Sequence, residues 1–125
     1  MSTEPRTAHV NVLVTKSLEI DEPAWCVDPH DSAQFLPDIT HNGPETTARV
    51  ATQHGTATFL AAWITQAPHA QLAPEPLPVV AIEVDGDTLS LDPDDVPAFT
   101  GLIRAHLDVI EQLAAECARI RGGGQ

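Results

Sequence analysis

One short stretch of the sequence places three metal-binding side chains close together. Cys26 and His30 are separated by three residues, and His41 follows His30 by eleven positions. Thiolate and neutral imidazole are ligands that zinc prefers, because this borderline-soft ion binds both sulfur and nitrogen. Cys26, His30 and His41 are therefore candidate ligands of a zinc ion.

The same residues lie in a long segment, 21–45, which contains four prolines and has no sustained hydrophobic period. We predict a loop there. A loop of this length is uncommon in a compact domain unless something holds it or it has a function of its own. A metal bound by Cys26, His30 and His41 would hold the loop together.

Three residues leave the fourth position of a tetrahedral zinc site without a ligand. The candidates are water or one of four side chains, His54, Asp28, Asp31 or Cys117. Water in this position is typical of a catalytic zinc site, in which a carboxylate such as Asp31 or Glu45 would act as the base.

Two other interpretations need no metal. In the first, Cys26 is a small buried hydrophobic residue, Trp25 anchors the loop on the sheet, and the histidines are polar surface residues. In the second, Cys26 and Cys117 form a disulfide, although a reducing compartment disfavours it. The sequence leaves both interpretations open.

Hydrophobic alternation predicts the strands that must position this loop. Residues 7–15 alternate with a period of two, as in a strand with one buried face. Two β-branched stretches, 46–53 and 56–66, are separated by His54-Gly55, which is typical of a hairpin turn. The second stretch is rich in alanine, so it suits a central strand or a short helix.

A second hairpin is predicted towards the C-terminus. Asp85-Gly86 separates the β-branched runs 79–84 and 88–91, and Asp-Gly at such a place is a strong signal for a tight turn. Before this hairpin, the prolines at 68, 74, 76 and 78 predict a connector without regular structure.

The clearest element is a helix over residues 93–121. Asp92 suits the N-cap, Pro93 suits the first turn, and Gly122 suits a left-handed residue after the last turn. Apolar residues and one histidine recur at spacings of three and four: Val96, Phe99, Ile103, His106, Ile110, Leu113, Cys117 and Ile120. The helix is therefore expected to lie on an apolar surface, and its far end could serve a homodimer.

These elements predict an α+β fold, an antiparallel sheet of about four or five strands with one long C-terminal helix packed across one face. The length of 125 residues suits one domain. We expect a disordered N-terminus over residues 1–6, a single α+β domain over 7–121 with the long loop at 21–45, and a flexible tail over 122–125.

The charge balance excludes several classes of partner. Six basic and eighteen acidic residues give a net charge of −12, which disfavours direct nucleic-acid binding and attraction to an anionic membrane. No apolar run is long enough to span a bilayer, and the N-terminus does not have the pattern of a secretory signal. A cytoplasmic location with reduced cysteines is expected.

A set of motifs resembles a family of small uncharacterised actinobacterial proteins that carry a domain of unknown function. The set comprises Trp25-Cys26-x-x-x-His30, the later His41, a hairpin around Val80–Leu91 and a helix opened by Leu91-Asp92-Pro93. Relatives often have Cys-Pro before the Trp-Cys unit, where this chain has Glu22-Pro23-Ala24. The resemblance implies that Cys26, His30 and His41 act together, and it implies no activity.

No phosphate-binding glycine loop, dinucleotide motif or glycine-flanked serine nucleophile occurs, and we assign no catalytic residue. The sequence therefore favours a small non-enzymatic binding or regulatory module with a zinc-organised loop, whose partner is another protein or a second copy of the chain. Two alternatives are an acidic protein that mimics DNA, suggested by the charge, and a small zinc-dependent hydrolase.

Overall fold

A computed structural model describes residues 5–11, 17–31 and 35–123. The chain divides into two compact units, Met1–Asp92 and Pro93–Gln125. The first unit holds two antiparallel sheets and the second holds one long helix, which confirms the predicted α+β class. The strands are β1 (Arg6–Asn11), β2 (Ser17–Glu22), β3 (His41–Asn42), β4 (Thr46–Thr52), β5 (Gly55–Ala67), β6 (Glu75–Val84) and β7 (Asp87–Leu91).

Strands β1 and β2 form a sheet of their own. Their antiparallel register sets Arg6 opposite Glu22 and Ala8 opposite Ile20. The alternation predicted for residues 7–15 is seen in β1, whereas residues 12–15 lie outside the described part of the chain. Strand β1 pairs with β2, which the sequence analysis did not predict, and not with the five-stranded sheet.

A small apolar core covers this two-stranded sheet. Val10 and Ile20 project from the same face, and Ile39, which follows a 3-10 turn at Leu36–Asp38, packs against both. All three side chains are buried. The segment between β2 and β3 is thus attached to the two-stranded sheet by hydrophobic contact.

The five-stranded sheet is built around β5. Strand β6 pairs with β5 along one edge, β3 and β4 both pair with β5, and β7 pairs with β6. The stretch forms a strand of thirteen residues, which decides between the central strand and the short helix that the sequence allowed. A bulge interrupts its pairing with β4 near Leu60, whose φ of 53° is left-handed.

The hairpin of β6 and β7 is the one that the sequence predicts. Asp85 and Gly86 both have positive φ, 50° and 84°, as a two-residue turn of this type requires. The connector predicted at the prolines is shorter than expected, because β6 begins at Glu75 and contains Pro76 and Pro78. These prolines are tolerated because the pairing of β6 with β7 begins only at Val80.

The helix α1 spans Val96–Arg121 and follows a 3-10 turn at Pro93–Asp95. The predicted start at Pro93 is therefore one turn early. Its end agrees with the sequence, although Gly123, at φ 79°, is the left-handed residue and Gly122 is not. None of its side chains is buried. Its packing across a sheet face stays a prediction.

Within the described residues, no helix combines the length and the apolar character that crossing a membrane requires.

Candidate metal centre

Four buried side chains converge where the two sheets meet the loop, and we call them the metal cluster: Glu22, Cys26, His30 and His41. Glu22 is the last residue of β2 and His41 is the first of β3, while the other two lie on the segment between these strands. Their exposed fractions are 8%, 1%, 7% and 4% in chain order. One donor atom from each residue lies within 4.8 Å of the other three.

The contacts inside the metal cluster centre on the imidazole of His30. Its Nε2 lies 2.7 Å from Oε1 of Glu22 and 3.9 Å from Sγ of Cys26. The rings of His30 and His41 meet edge to face, with centroids 5.5 Å apart. The Nδ1 atom of His41 is buried and has no hydrogen-bond partner among the residues that the structure describes.

A buried nitrogen normally has a partner, and a metal ion bound by the cluster would be one such partner for His41. Ligands of tetrahedral zinc lie about 2.0–2.3 Å from the ion and hence roughly 3.3–3.8 Å from one another. The pair of donor atoms that is farthest apart, at up to 4.8 Å, would have to approach by about 1.0–1.5 Å. Glu22 Oε1 and His30 Nε2, which lie 2.7 Å apart, would have to separate slightly. With these small shifts the four side chains could hold a metal ion.

Hydrogen bonds and burial leave two members of the metal cluster in forms that can bind a cation. Burial by itself would raise the pKa of the Glu22 carboxyl, but hydrogen bonds from His30 and Cys26 outweigh it. The positive charge of Arg6 adds to this effect, so the pKa of Glu22 is lowered. Burial, with a smaller effect of the neighbouring His30, lowers the pKa of His41. Glu22 is thus a carboxylate and His41 a neutral imidazole.

The thiol of Cys26 behaves differently. Burial raises its pKa, and the nearby Glu22 carboxylate raises it further. A metal ion binds the thiolate and displaces its proton, so the bound ion would supply the positive charge that the thiolate needs in this buried place.

Local hydrogen bonds explain why the segment turns at the metal cluster. The backbone N–H of Cys26 donates to the Pro23 carbonyl at 3.1 Å, which closes a turn directly after β2. The backbone N–H of His30 donates to Oδ1 of Asp28 at 2.8 Å, and His30 has a left-handed φ of 62°. A left-handed conformation is unfavourable for a residue with a Cβ, and such strain is concentrated at functional sites.

Asn42 connects this segment to the five-stranded sheet. Its backbone carbonyl accepts from the N–H of Val27 at 2.8 Å, and its Nδ2 donates to Oδ2 of Asp28 at 2.7 Å. Its Oδ1 accepts from the indole of Trp63 at 3.1 Å and from the hydroxyl of Thr65 at 2.8 Å. One partly buried amide thus fixes the position of the residue beside His41.

A pocket of about 640 Å³ adjoins the metal cluster. Glu22 and His41 form part of its wall, and Glu19, Asp21 and His69 line it further out. Two of the four cluster residues can therefore be reached from this pocket.

Comparison with known proteins agrees with the resemblance noted above. The family described as Domain of unknown function (DUF6907) matches residues 3–119. The chain belongs to this family. No curated protein and no solved structure matches the chain. The DUF6907 match covers the whole metal cluster and assigns no activity to it, and the actinobacterial source stays an expectation.

The structure brings together all three candidate ligands that the sequence suggested. Among the candidates for the fourth position, Asp28 uses its carboxylate oxygens on His30 and Asn42. Three others do not belong to the cluster that the structure describes: His54, Asp31 and Cys117. Both cysteines are free thiols, which contradicts the disulfide interpretation.

Sequence reasoning missed Glu22, which takes the fourth place in the metal cluster. A signal was present, because Glu22, Cys26 and His30 recur at intervals of four residues. Because Glu22 is one of eighteen acidic residues, its residue type alone does not distinguish it as a ligand.

Proposed function

We propose that the chain is a small non-enzymatic binding or regulatory module in which the metal cluster holds one zinc ion. A single observation carries the proposal: four buried donor atoms, from Glu22, Cys26, His30 and His41, lie within 4.8 Å of one another. Buried groups of this kind are stable when they are paired or when they coordinate a metal. Zinc accepts sulfur, nitrogen and carboxylate oxygen together.

The number of donors favours a structural role for the zinc. Structural zinc sites are usually closed by four protein ligands, whereas catalytic sites keep one position for water. Here four side chains are available, and each is at least nine-tenths buried. The thiolate and the carboxylate together balance the charge of Zn²⁺.

The position of the metal cluster indicates what the zinc would stabilise. Glu22 belongs to the two-stranded sheet and His41 to the five-stranded sheet, and no strand pairing joins these sheets among the described residues. A shared ion would therefore connect the two sheets and fix the intervening segment between them. Because the site forms only in the folded chain, its metal-binding free energy contributes to folding.

The direct test is the metal content of the chain, purified without added metal and without a histidine tag. We expect about one zinc per chain by elemental analysis, because one set of four donors is present. Co²⁺ in the same site should give the intense visible bands of a tetrahedral complex and an ultraviolet thiolate band. A chain that binds neither ion at neutral pH would contradict the proposal.

The pocket beside Glu22 and His41 favours one second candidate, a small zinc-dependent hydrolase. The two candidates differ in whether the ion can accept a further ligand. Azide added to the Co²⁺ form should leave its visible spectrum unchanged if the four side chains close the site. A change of the spectrum with azide would show an open position and would favour the hydrolase.

A partner is proposed for α1 because it carries an apolar stripe along its length. The proposed partner is a second copy of the chain, because identical stripes can cover each other across a two-fold axis. The parent should sediment as a dimer and Ile110→Glu as a monomer. Gln112→Glu adds the same charge outside the stripe, so it should remain dimeric. A monomeric parent would exclude this homodimer.

A cytoplasmic location is part of the same proposal. It is supported by the two free thiols, of which Cys117 is exposed, because reduced cysteines suit a reducing compartment.

A further inference from the structure

We infer that Arg6 is a positioning residue of the metal cluster, although it is not itself a metal ligand. This inference rests on the proposed function. Arg6 is the first residue of β1, so the inference makes the N-terminal strand part of the metal site. No sequence motif indicates that Arg6 belongs to the site, because Arg6 precedes Glu22, the nearest cluster residue, by sixteen positions.

The guanidinium of Arg6 binds two members of the metal cluster at once. Its Nε donates to Oε2 of Glu22 at 3.1 Å, and its Nη2 donates to the backbone carbonyl of Cys26 at 2.5 Å. The strand register sets Arg6 directly opposite Glu22, so the first contact crosses the hairpin. A planar guanidinium donates in fixed directions, and it can therefore hold both groups in one relative orientation.

These two contacts restrict the atoms that face the centre of the metal cluster. Because Arg6 occupies Oε2 of Glu22, the other oxygen, Oε1, is left for the cluster, where it lies 2.7 Å from His30 Nε2. Because the carbonyl of Cys26 is held, the backbone from which its thiol projects is also fixed. Arg6 would thus prepare one oxygen and one sulfur ligand before the metal arrives. Residues that orient ligands in this way commonly change metal affinity by about 10–100-fold.

Electrostatics alone makes the opposite prediction, which gives the inference a sharp test. Arg6 and the metal ion are both positive, so a purely electrostatic effect would make zinc bind more tightly when Arg6 is removed. If Arg6 acts by positioning, its removal weakens binding. The direction of the change in affinity therefore separates the two effects.

The experiment measures the zinc dissociation constant by competition with a chromophoric chelator, together with the Co²⁺ spectrum. Arg6→Gln is expected to weaken zinc binding by about 10–100-fold and to alter the thiolate band of the Co²⁺ form. Arg6→Lys keeps the charge but has no planar fork, so its affinity should lie between those of the parent and Arg6→Gln. The control is Arg49→Gln, which removes the same charge from an exposed position on β4 and should bind zinc like the parent.

The possible results distinguish the role of Arg6 from the existence of the zinc site. Equal or tighter zinc binding by Arg6→Gln, with an unchanged Co²⁺ spectrum, would overturn the role of Arg6 and leave the zinc site intact. If Arg6→Gln does not fold by circular dichroism, Arg6→Lys decides, and parent-like affinity in that variant would overturn the inference. A parent chain that binds no zinc would overturn the proposed function and this inference together.

Discussion

Cys26→Ser is expected to abolish zinc binding and to lower the melting temperature by more than about 10 °C. Serine has nearly the shape of cysteine, but its neutral hydroxyl is a poor zinc ligand, so the substitution removes one donor with little change in packing. Structural zinc contributes about 10–16 kcal/mol of binding free energy in small zinc-finger peptides, a value comparable with the whole stability of a typical domain. Even partial loss of this contribution should therefore be visible in a thermal melt.

The matched control for this variant is Cys117→Ser. Cys117 is an exposed free thiol on α1, outside the metal cluster, whereas Cys26 is buried within it. The control should keep one zinc per chain and the melting temperature of the parent. Equal zinc content and equal melting temperatures in the two variants would show that Cys26 is a packing residue, as the metal-free interpretation holds.

Removal of zinc by a chelator is expected to increase amide hydrogen exchange selectively in the segment between β2 and β3. The N–H groups of Cys26 and Val27 are hydrogen-bonded within this segment or to Asn42, and their protection depends on the fixed position of the segment. We expect these amides to exchange at least about tenfold faster, since local opening needs only the loss of a few contacts once the ion is gone. Hydrogen exchange followed by mass spectrometry measures this change.

The paired strands β5 and β6 provide an internal control for the exchange experiment. Amides around Trp63 and Ala81, which face each other in the centre of this pair, should keep their protection without zinc. Added zinc should restore protection in the segment. Unchanged exchange after zinc removal would show that the ion does not hold the segment. Loss of protection in all strands would show that the whole fold depends on the metal.

Local sequence patterns predicted the elements whose structure depends mainly on residues that are close in sequence. Asp85-Gly86 identifies a turn because its backbone needs positive φ, which glycine and aspartate tolerate. Similarly, the recurrence of apolar residues at three and four positions identifies α1. The start of α1 was misplaced by one turn because Pro93 and two aspartates suit a 3-10 turn as well as an α-helix.

Long-range pairing determined the parts of the fold that the sequence left open. The alanine-rich stretch became strand β5 because partners on both edges satisfy its backbone hydrogen bonds. Strand β2, Ser17–Glu22, has only two apolar residues in alternation, which is a weak local signal, and its pairing with β1 supplies its backbone hydrogen bonds. Such pairing depends on residues distant in sequence, which local periodicity does not describe.

The sequence by itself identified the three candidate donors Cys26, His30 and His41, because their residue types and spacing are sufficient to suggest zinc. Only the tertiary structure selected Glu22 from eighteen acidic residues and placed Arg6 beside it. The physical reason is that a metal cluster requires donor atoms within a few ångströms, and this convergence depends on strand register and packing. Strand register and packing are not determined by the chemistry of a single residue.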